Sequence, residues 1–192
     1  MSLITKDLLN RVTNYRKSHI NKGLGAPTIL NESTNIKKNY DIFLSHSYLD
    51  KEQIASLKVY LEDFGFSVYV DWIDDYQLNR NNVTKETAKR IRDRMKNCKS
   101  LIYAFSKNSN LSKWMPWELG YFDGIKGRVA VLPILETETD NFTGTEYLGL
   151  YPYVTQNKIS GSEEYALWIR ESINKYVIID SWLSGHNPIY RN

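Results

Sequence analysis

The hydrophobic positions of this chain change rhythm along its length. Ile4, Leu8, Leu9, Val12 and Tyr15 recur at helical spacing with lysines and arginines opposite, which predicts an amphipathic helix over residues 4–20. Residues 22–39 mix Gly, Pro, Asn, Ser and Thr and predict a linker. At Tyr40 the texture changes. YDIFLS (40–45) is a short apolar strand. Asp50 with Gln53 three residues on has the form of a capping box. Ile54, Leu57, Leu61 and Phe64 then make one helical face, and Gly65 stands where the helix should stop. FSVYV (66–70) is a second strand, rich in β-branched and aromatic residues. A polar loop runs from Asp71 to about Asn82. Ala88, Ile91 and Met95 mark a second helix, SLIYAF (100–105) a third strand, and a further helix begins near Pro116. VAVLPIL (129–135) is continuously apolar, as a strand covered on both faces should be. YPYVT (151–155) is a short fifth strand that Pro152 assigns to an edge. Tyr165, Trp168, Ile169 and Ile173 predict a last helix over 163–175, and residues 177–192 form a tail without clear pattern.

Strands alternating with helices at this spacing imply an α/β fold. Right-handed crossovers give a flavodoxin-like open parallel sheet of five strands, order 2-1-3-4-5, with helices on both faces and an N-terminal helical extension. Ligands of such sheets lie beyond the carboxyl ends of the strands. That selects residues 45–50, 71–82, 106–117 and 136 onward.

Composition narrows the chemistry. The 192 residues are 42% hydrophobic and 24% charged, ordinary for a globular protein. A single cysteine, Cys98, excludes an internal disulfide. His19, His46 and His186 show no metal-ligand spacing, so no metal site is expected. No apolar run approaches a bilayer span. The N-terminus has no signal-peptide core, so the expected location is the cytoplasm. The net charge of +3 is concentrated: residues 1–39 carry seven cations against two anions, leaving −2 for the remainder. A solvated helix face accounts for that excess, and neither nucleic acid nor membrane is expected as a partner. Gly120, Gly124 and Gly127 do not make a G-x-G-x-x-G turn, and no phosphate loop or G-x-S-x-G elbow is present.

The informative segment is Ser112-Lys113-Trp114-Met115-Pro116-Trp117-Glu118-Leu119. With a helix starting near Pro116, Glu118 falls in the first turn. An acid there stabilises a helix by about 0.3–1 kcal/mol without any further role. Against that simple account, Trp114 and Trp117 surround the carboxylate with aromatic surface, which suits a flat cationic ring joined to a sugar.

Three segments in order resemble a bacterial Toll/interleukin-1 receptor (TIR) domain. Asp41-Ile42-Phe43-Leu44-Ser45-His46-Ser47 resembles its opening strand, and Gly65-Phe66-Ser67-Val68-Tyr69-Val70-Asp71 its second strand. Residues 112–119 resemble its S-x-W-x-x-x-E-L segment. The likeness covers roughly residues 38–160, and the implied TIR domain is residues 38–176, between an N-terminal helix and linker (1–37) and a C-terminal tail (177–192). The resemblance implies cleavage of the nicotinamide–ribose bond of NAD+, with Glu118 as catalytic residue. It implies Ser45, His46, Asp71, Trp72, Trp114 and Trp117 as substrate-binding residues, and NAD+ as substrate with no cofactor. A hydrogen-bonding or packing role is preferred for His46 over that of a base. Departing nicotinamide is neutral and needs no acid, so one carboxylate facing the oxocarbenium-like ribose can suffice. The product is then ADP-ribose or a cyclic isomer. Head-to-tail TIR–TIR association and a separately encoded effector, as in Thoeris-like anti-phage defence, are also implied. The alternative is a non-catalytic TIR protein–protein interaction module or host-adaptor mimic. The enzymatic reading requires that Glu118 not be sunk among apolar neighbours, nor point off the cleft with no room for a dinucleotide.

Overall fold

The structure is a computed structural model of the chain and describes residues 2–20, 39–75, 84–137 and 146–191. The expected linker up to Lys38, the polar loop after Asp75 and residues 138–145 of the loop after residue 135 lie outside the described residues.

The elements run β1 (Ile4–Thr5), α1 (Lys6–Ile20), β2 (Tyr40–Ser45), α2 (Lys51–Asp63), β3 (Val68–Tyr69), α3 (Asp71–Asp74), α4 (Lys85–Lys96), β4 (Cys98–Phe105), α5 (Trp114–Lys126), β5 (Val129–Leu135), β6 (Tyr153–Lys158), β7 (Tyr165–Arg170), β8 (Lys175–Ile178), α6 (Ile179–Leu183) and β9 (Ile189–Tyr190). One sheet orders its strands β3-β2-β4-β5-β6-β7-β8-β9, with β1 on β5. Pairing is parallel from β3 through β6 and antiparallel from β6 through β9.

The described sheet is therefore larger than the expected five parallel strands. The helix expected over 163–175 is replaced by β7 and the start of β8. Gly161, at φ +79°, turns the chain back after β6, and Tyr165 through Arg170 then pair along Lys158 to Tyr153. Tyr165 and Ile173, half of the supposed buried stripe, are exposed, while Ala166, Leu167 and Arg170 are buried. Because β7 covers β6, Pro152 stands beside an interior strand and only precedes it. The tail folds too: Ile179 and Trp182 of α6 join the core.

The chain start belongs to the same sheet. Ile4 and Thr5 pair with Ile134 and Leu135, and Ser2 bridges to Gln156 on β6. Leu9 on α1 is fully buried beside Ile54, Leu57 and Leu61 of α2, and Thr13 Oγ1 lies 2.5 Å from Ser56 Oγ.

Two apolar layers sandwich the sheet. Ile42 and Leu44 of β2 face α1, α2 and α6. Phe43 and Tyr103 face α4 and α5, with Ile91, Met95, Met115, Leu119 and Phe122. Helix α2 ends at Gly65, whose φ of +90° suits glycine. Helix α4 starts on Thr84, whose hydroxyl accepts the Thr87 N–H.

Candidate active site

Strand alternation and register assemble the site. Ser45 pairs with Tyr103 across β2 and β4. Phe43 and Tyr103 lie in the α4/α5 layer, and residues two apart share a strand face, so Ser45 points to α5 as well. Helix α5 begins at Trp114 rather than Pro116. Pro116 is still within the first turn, where its missing N–H costs nothing, and Ser112 Oγ accepts the Met115 N–H at 3.3 Å. Glu118 thus falls in the second turn rather than the first. The simple account of an acid at a helix start does not apply. The side chain turns inward, has no exposed surface, and its Oε2 accepts a 2.6 Å hydrogen bond from Ser45 Oγ. A bond this short to a carboxylate is of the strong, charge-assisted kind.

Tyr103 is the neighbour that the sequence did not reveal. Burial, then the Tyr147 and Glu118 charges, and a hydrogen bond with Tyr147 push its hydroxyl well above the usual phenol range. The Glu118 carboxylate thus has the Ser45 hydroxyl on it and no exposed surface. Trp114 and Trp117, both partly buried, cross edge to face with ring centroids 5.4 Å apart. Trp117 stacks in turn on Tyr121 at 5.9 Å.

The remaining expected residues lie on the other side of the strand end. His46 Nδ1 is 2.8 Å from Leu44 O, and Trp72 Nε1–H donates to His46 Nε2 at 3.0 Å. Asp71 Oδ1 lies 3.5 Å from the same Nε2. Trp72 packs on the α1/α2 layer, whereas Trp114 and Trp117 pack on the α4/α5 layer. The seven expected residues thus form two groups joined by the Ser45–His46 peptide: Ser45, Trp114, Trp117 and Glu118 on one face, His46, Asp71 and Trp72 on the other.

At the start of the polar loop, Asp71 and Asp75 are buried. Asp74 accepts the Val70 N–H at 2.7 Å and lies 3.4 Å from Lys58. Burial raises its carboxyl, against those two partners and aided by Glu62. Asp75 is buried and takes two bonds from Arg94, at 2.7 and 2.8 Å, and one from Tyr69 at 2.7 Å. Asp50 makes no cap on α2. Its carboxylate crosses to the loop after β4, where Ser106 donates to Oδ2 and Asn108 to Oδ1.

A model of the TIR domain family matches residues 42–166. The chain belongs to the TIR family. Over 190 residues, it is 52% identical to a Bacillus cereus (strain MSX-D12) protein named probable 3' cyclic ADP-D-ribose synthase ThsB'. The match covers 95% of this chain and 98% of that one. Two more distant relatives match over part of their length. One is the putative cyclic ADP-D-ribose synthase TIR2 of Cytobacillus dafuensis, at 34% identity over 47% of this chain and 24% of that one. The other is the probable 2' cyclic ADP-D-ribose synthase TcpO of Methanobrevibacter olleyae, at 37% over 57% and 30%. A solved TIR domain, from the Toll-related receptor TRR-2 of Hydra magnipapillata, aligns with TM-score 0.40 and 22% identity over 54% of this chain and 76% of that one. Within the TIR domain the matched span runs from β2 into β7 and contains both residue groups. No described helix is long and apolar enough to cross a membrane.

Proposed function

We propose that this TIR protein cleaves the nicotinamide–ribose bond of NAD+ and closes the remaining ADP-ribose into a cyclic isomer, with Glu118 as the catalytic carboxylate. The observation that carries the reading is the inward-turned Glu118, bonded to Ser45 and on the same helix as the Trp114–Trp117 pair. Kinship over nearly the whole of both chains with a protein named as a 3' cyclic ADP-D-ribose synthase supports the same product class. NAD+ is the substrate and no cofactor takes part.

The chemistry follows from charge. As the C–N bond breaks, its electron pair stays on the pyridinium nitrogen and nicotinamide leaves neutral. Positive charge grows on the ribose. A carboxylate aimed at that charge is worth on the order of 10²–10³ in rate when it is preorganised. A hydroxyl of the same ADP-ribose then attacks the ribose carbon and releases a proton, giving the cyclic product; water in its place gives ADP-ribose. Ser45 holds the carboxylate, and Trp114 with Trp117 supplies stacking surface for the flat rings of the dinucleotide. His46, Asp71 and Trp72 act at the strand end behind them.

Glu118 has no exposed surface in the single chain, so substrate reaches it only after the surrounding wall rearranges. Head-to-tail association of TIR domains is the event assigned to that step, and activity should rise faster than linearly with protein concentration. The protein works in the cytoplasm and signals to a separately encoded effector. The test is chromatography of NAD+ incubations across a concentration series. Wild type should release nicotinamide and an equal amount of a cyclic nucleotide. Glu118→Gln should lose about 10²–10³ in rate at an unchanged melting temperature, because its amide oxygen still accepts from Ser45. Equal turnover by the variant refutes the role of Glu118. Absence of nicotinamide at every concentration leaves an interaction module.

A further inference from the structure

The proposed reaction assigns no task to the ring of His46, yet that ring is tied on both nitrogens. Its Nδ1 faces a backbone carbonyl, Leu44 O, at 2.8 Å. A carbonyl only accepts, so Nδ1 carries the proton. Its Nε2 faces the Trp72 indole at 3.0 Å. Indole N–H only donates, so Nε2 is the acceptor. Both contacts together select one neutral tautomer. In that tautomer the lone pair that a base would use is already engaged. Asp71, at 3.5 Å from Nε2, would compete for the ring only if Nε2 also carried a proton.

We infer that His46 is a positioning residue: as the Nδ1–H tautomer it fastens Trp72, in the first turn after β3, to the end of β2, and thereby holds Ser45 on Glu118. This inference rests on the function proposed above. The chain of contacts is short. Trp72 bonds His46, His46 bonds back to Leu44 O, and Ser45 between them donates to Glu118 at 2.6 Å. His46 is 2% exposed and Ser45 fully buried, so neither can be re-solvated cheaply once its partner is gone. Among the described residues, Asp71 on α3 lies at the ring, and Glu118 on α5 is bonded to the adjacent Ser45. Asp50 in the following turn is engaged by Ser106 and Asn108.

Two amide variants separate positioning from base chemistry. Glutamine extends far enough to offer its oxygen where Nε2 stood and so can accept from Trp72. Asparagine reaches only the Nδ1 position and keeps at most the bond to Leu44. If His46 positions, His46→Ala and His46→Asn should lower kcat about ten- to a hundredfold with little change in KM, the scale of a reacting group misplaced by about an ångström. His46→Gln should recover most of that loss. Trp72→Phe should fall as far as His46→Ala, and the double variant no further. A glutamine variant as slow as alanine, or losses that multiply in the double variant, overturns the inference. The second readout is independent of turnover. In protein labelled with ¹⁵N-tryptophan, the Trp72 indole resonance should move in His46→Ala and His46→Asn and return in His46→Gln. If wild type releases no nicotinamide, the proposed function fails, while this spectrum alone still decides the link. A Trp72 resonance that stays put in His46→Ala overturns it.

Discussion

Removing the Arg94 guanidinium tests how the turn after β3 is anchored. Arg94 and Asp75 side chains are 4% and 5% exposed. They share two hydrogen bonds of 2.7 and 2.8 Å, the Tyr69 hydroxyl adds a third to Asp75, and the guanidinium lies 5.6 Å from the Tyr69 ring centroid. Arg94→Met keeps most of the volume but leaves a buried carboxylate with one hydroxyl for company. Breaking a buried pair in this way costs about 3–5 kcal/mol, against about 0–1 kcal/mol for an exposed pair. With a total stability of about 5–15 kcal/mol, the variant should lose from about a fifth to all of it. Arg94→Met with Asp75→Leu removes the orphaned charge and should recover part of the loss. The remainder is the Tyr69 hydroxyl, now without its acceptor, at about 1–3 kcal/mol, and adding Tyr69→Phe should remove that as well. Urea unfolding followed by circular dichroism and tryptophan fluorescence supplies the numbers, provided both probes give one transition and the m-value is constant. A loss under about 1 kcal/mol in Arg94→Met, or a double variant no more stable than the single, refutes the reasoning.

Three further outcomes are expected. Leu9→Ala should cost about 2–5 kcal/mol by urea unfolding, because Leu9 is fully buried against α2; an effect below about 0.5 kcal/mol would mean that α1 is not docked in solution. Asp50→Ala should cost about 2 kcal/mol or more, since charged-group bonds from Ser106 and Asn108 are lost together, and equal melting temperatures would contradict this. Burial alone would raise the Asp41 carboxyl, but bonds from Lys99 and from the Ser67 N–H and hydroxyl outweigh it and hold it below the ordinary carboxylate range. A depressed acid contributes stability that is complete above its unfolded value and is lost as pH falls through the folded one. Below about pH 4, wild type should therefore lose stability more steeply than Asp41→Asn, and parallel urea midpoints in that range would refute it.

The sequence revealed what depends on neighbours along the chain. Continuous apolar runs located β2, β4 and β5, and the Gly65 stop was legible because φ +90° is a local demand. Glu118 stood out through its tryptophan neighbours and the family likeness. What failed depended on distant partners. The stripe Tyr165, Trp168, Ile169 and Ile173 fits a helix as well as a strand, and only pairing with β6 decides between them. Asp50 had the spacing of a cap, but Ser106 and Asn108, more than fifty residues away, offered its carboxylate better partners than its own helix. Tyr103 lies in LIYAF (101–105), where every residue is apolar or aromatic. Its nearness to Glu118 follows from the Ser45–Tyr103 register, which no single strand records.

The pairing of residues 2–5 with strands that follow much later sets an order on biosynthesis. Ile4 needs Ile134, and Ser2 needs Gln156. At roughly 5–20 residues per second of translation, the opening segment waits on the order of ten seconds or more outside the ribosome before its berth exists. During that interval Ile4 and Ser2 have no strand to pair with. The nascent protein is then open to chaperones and to misassociation, and a bulky fusion ahead of residue 2 would press on the Ser2–Gln156 bridge.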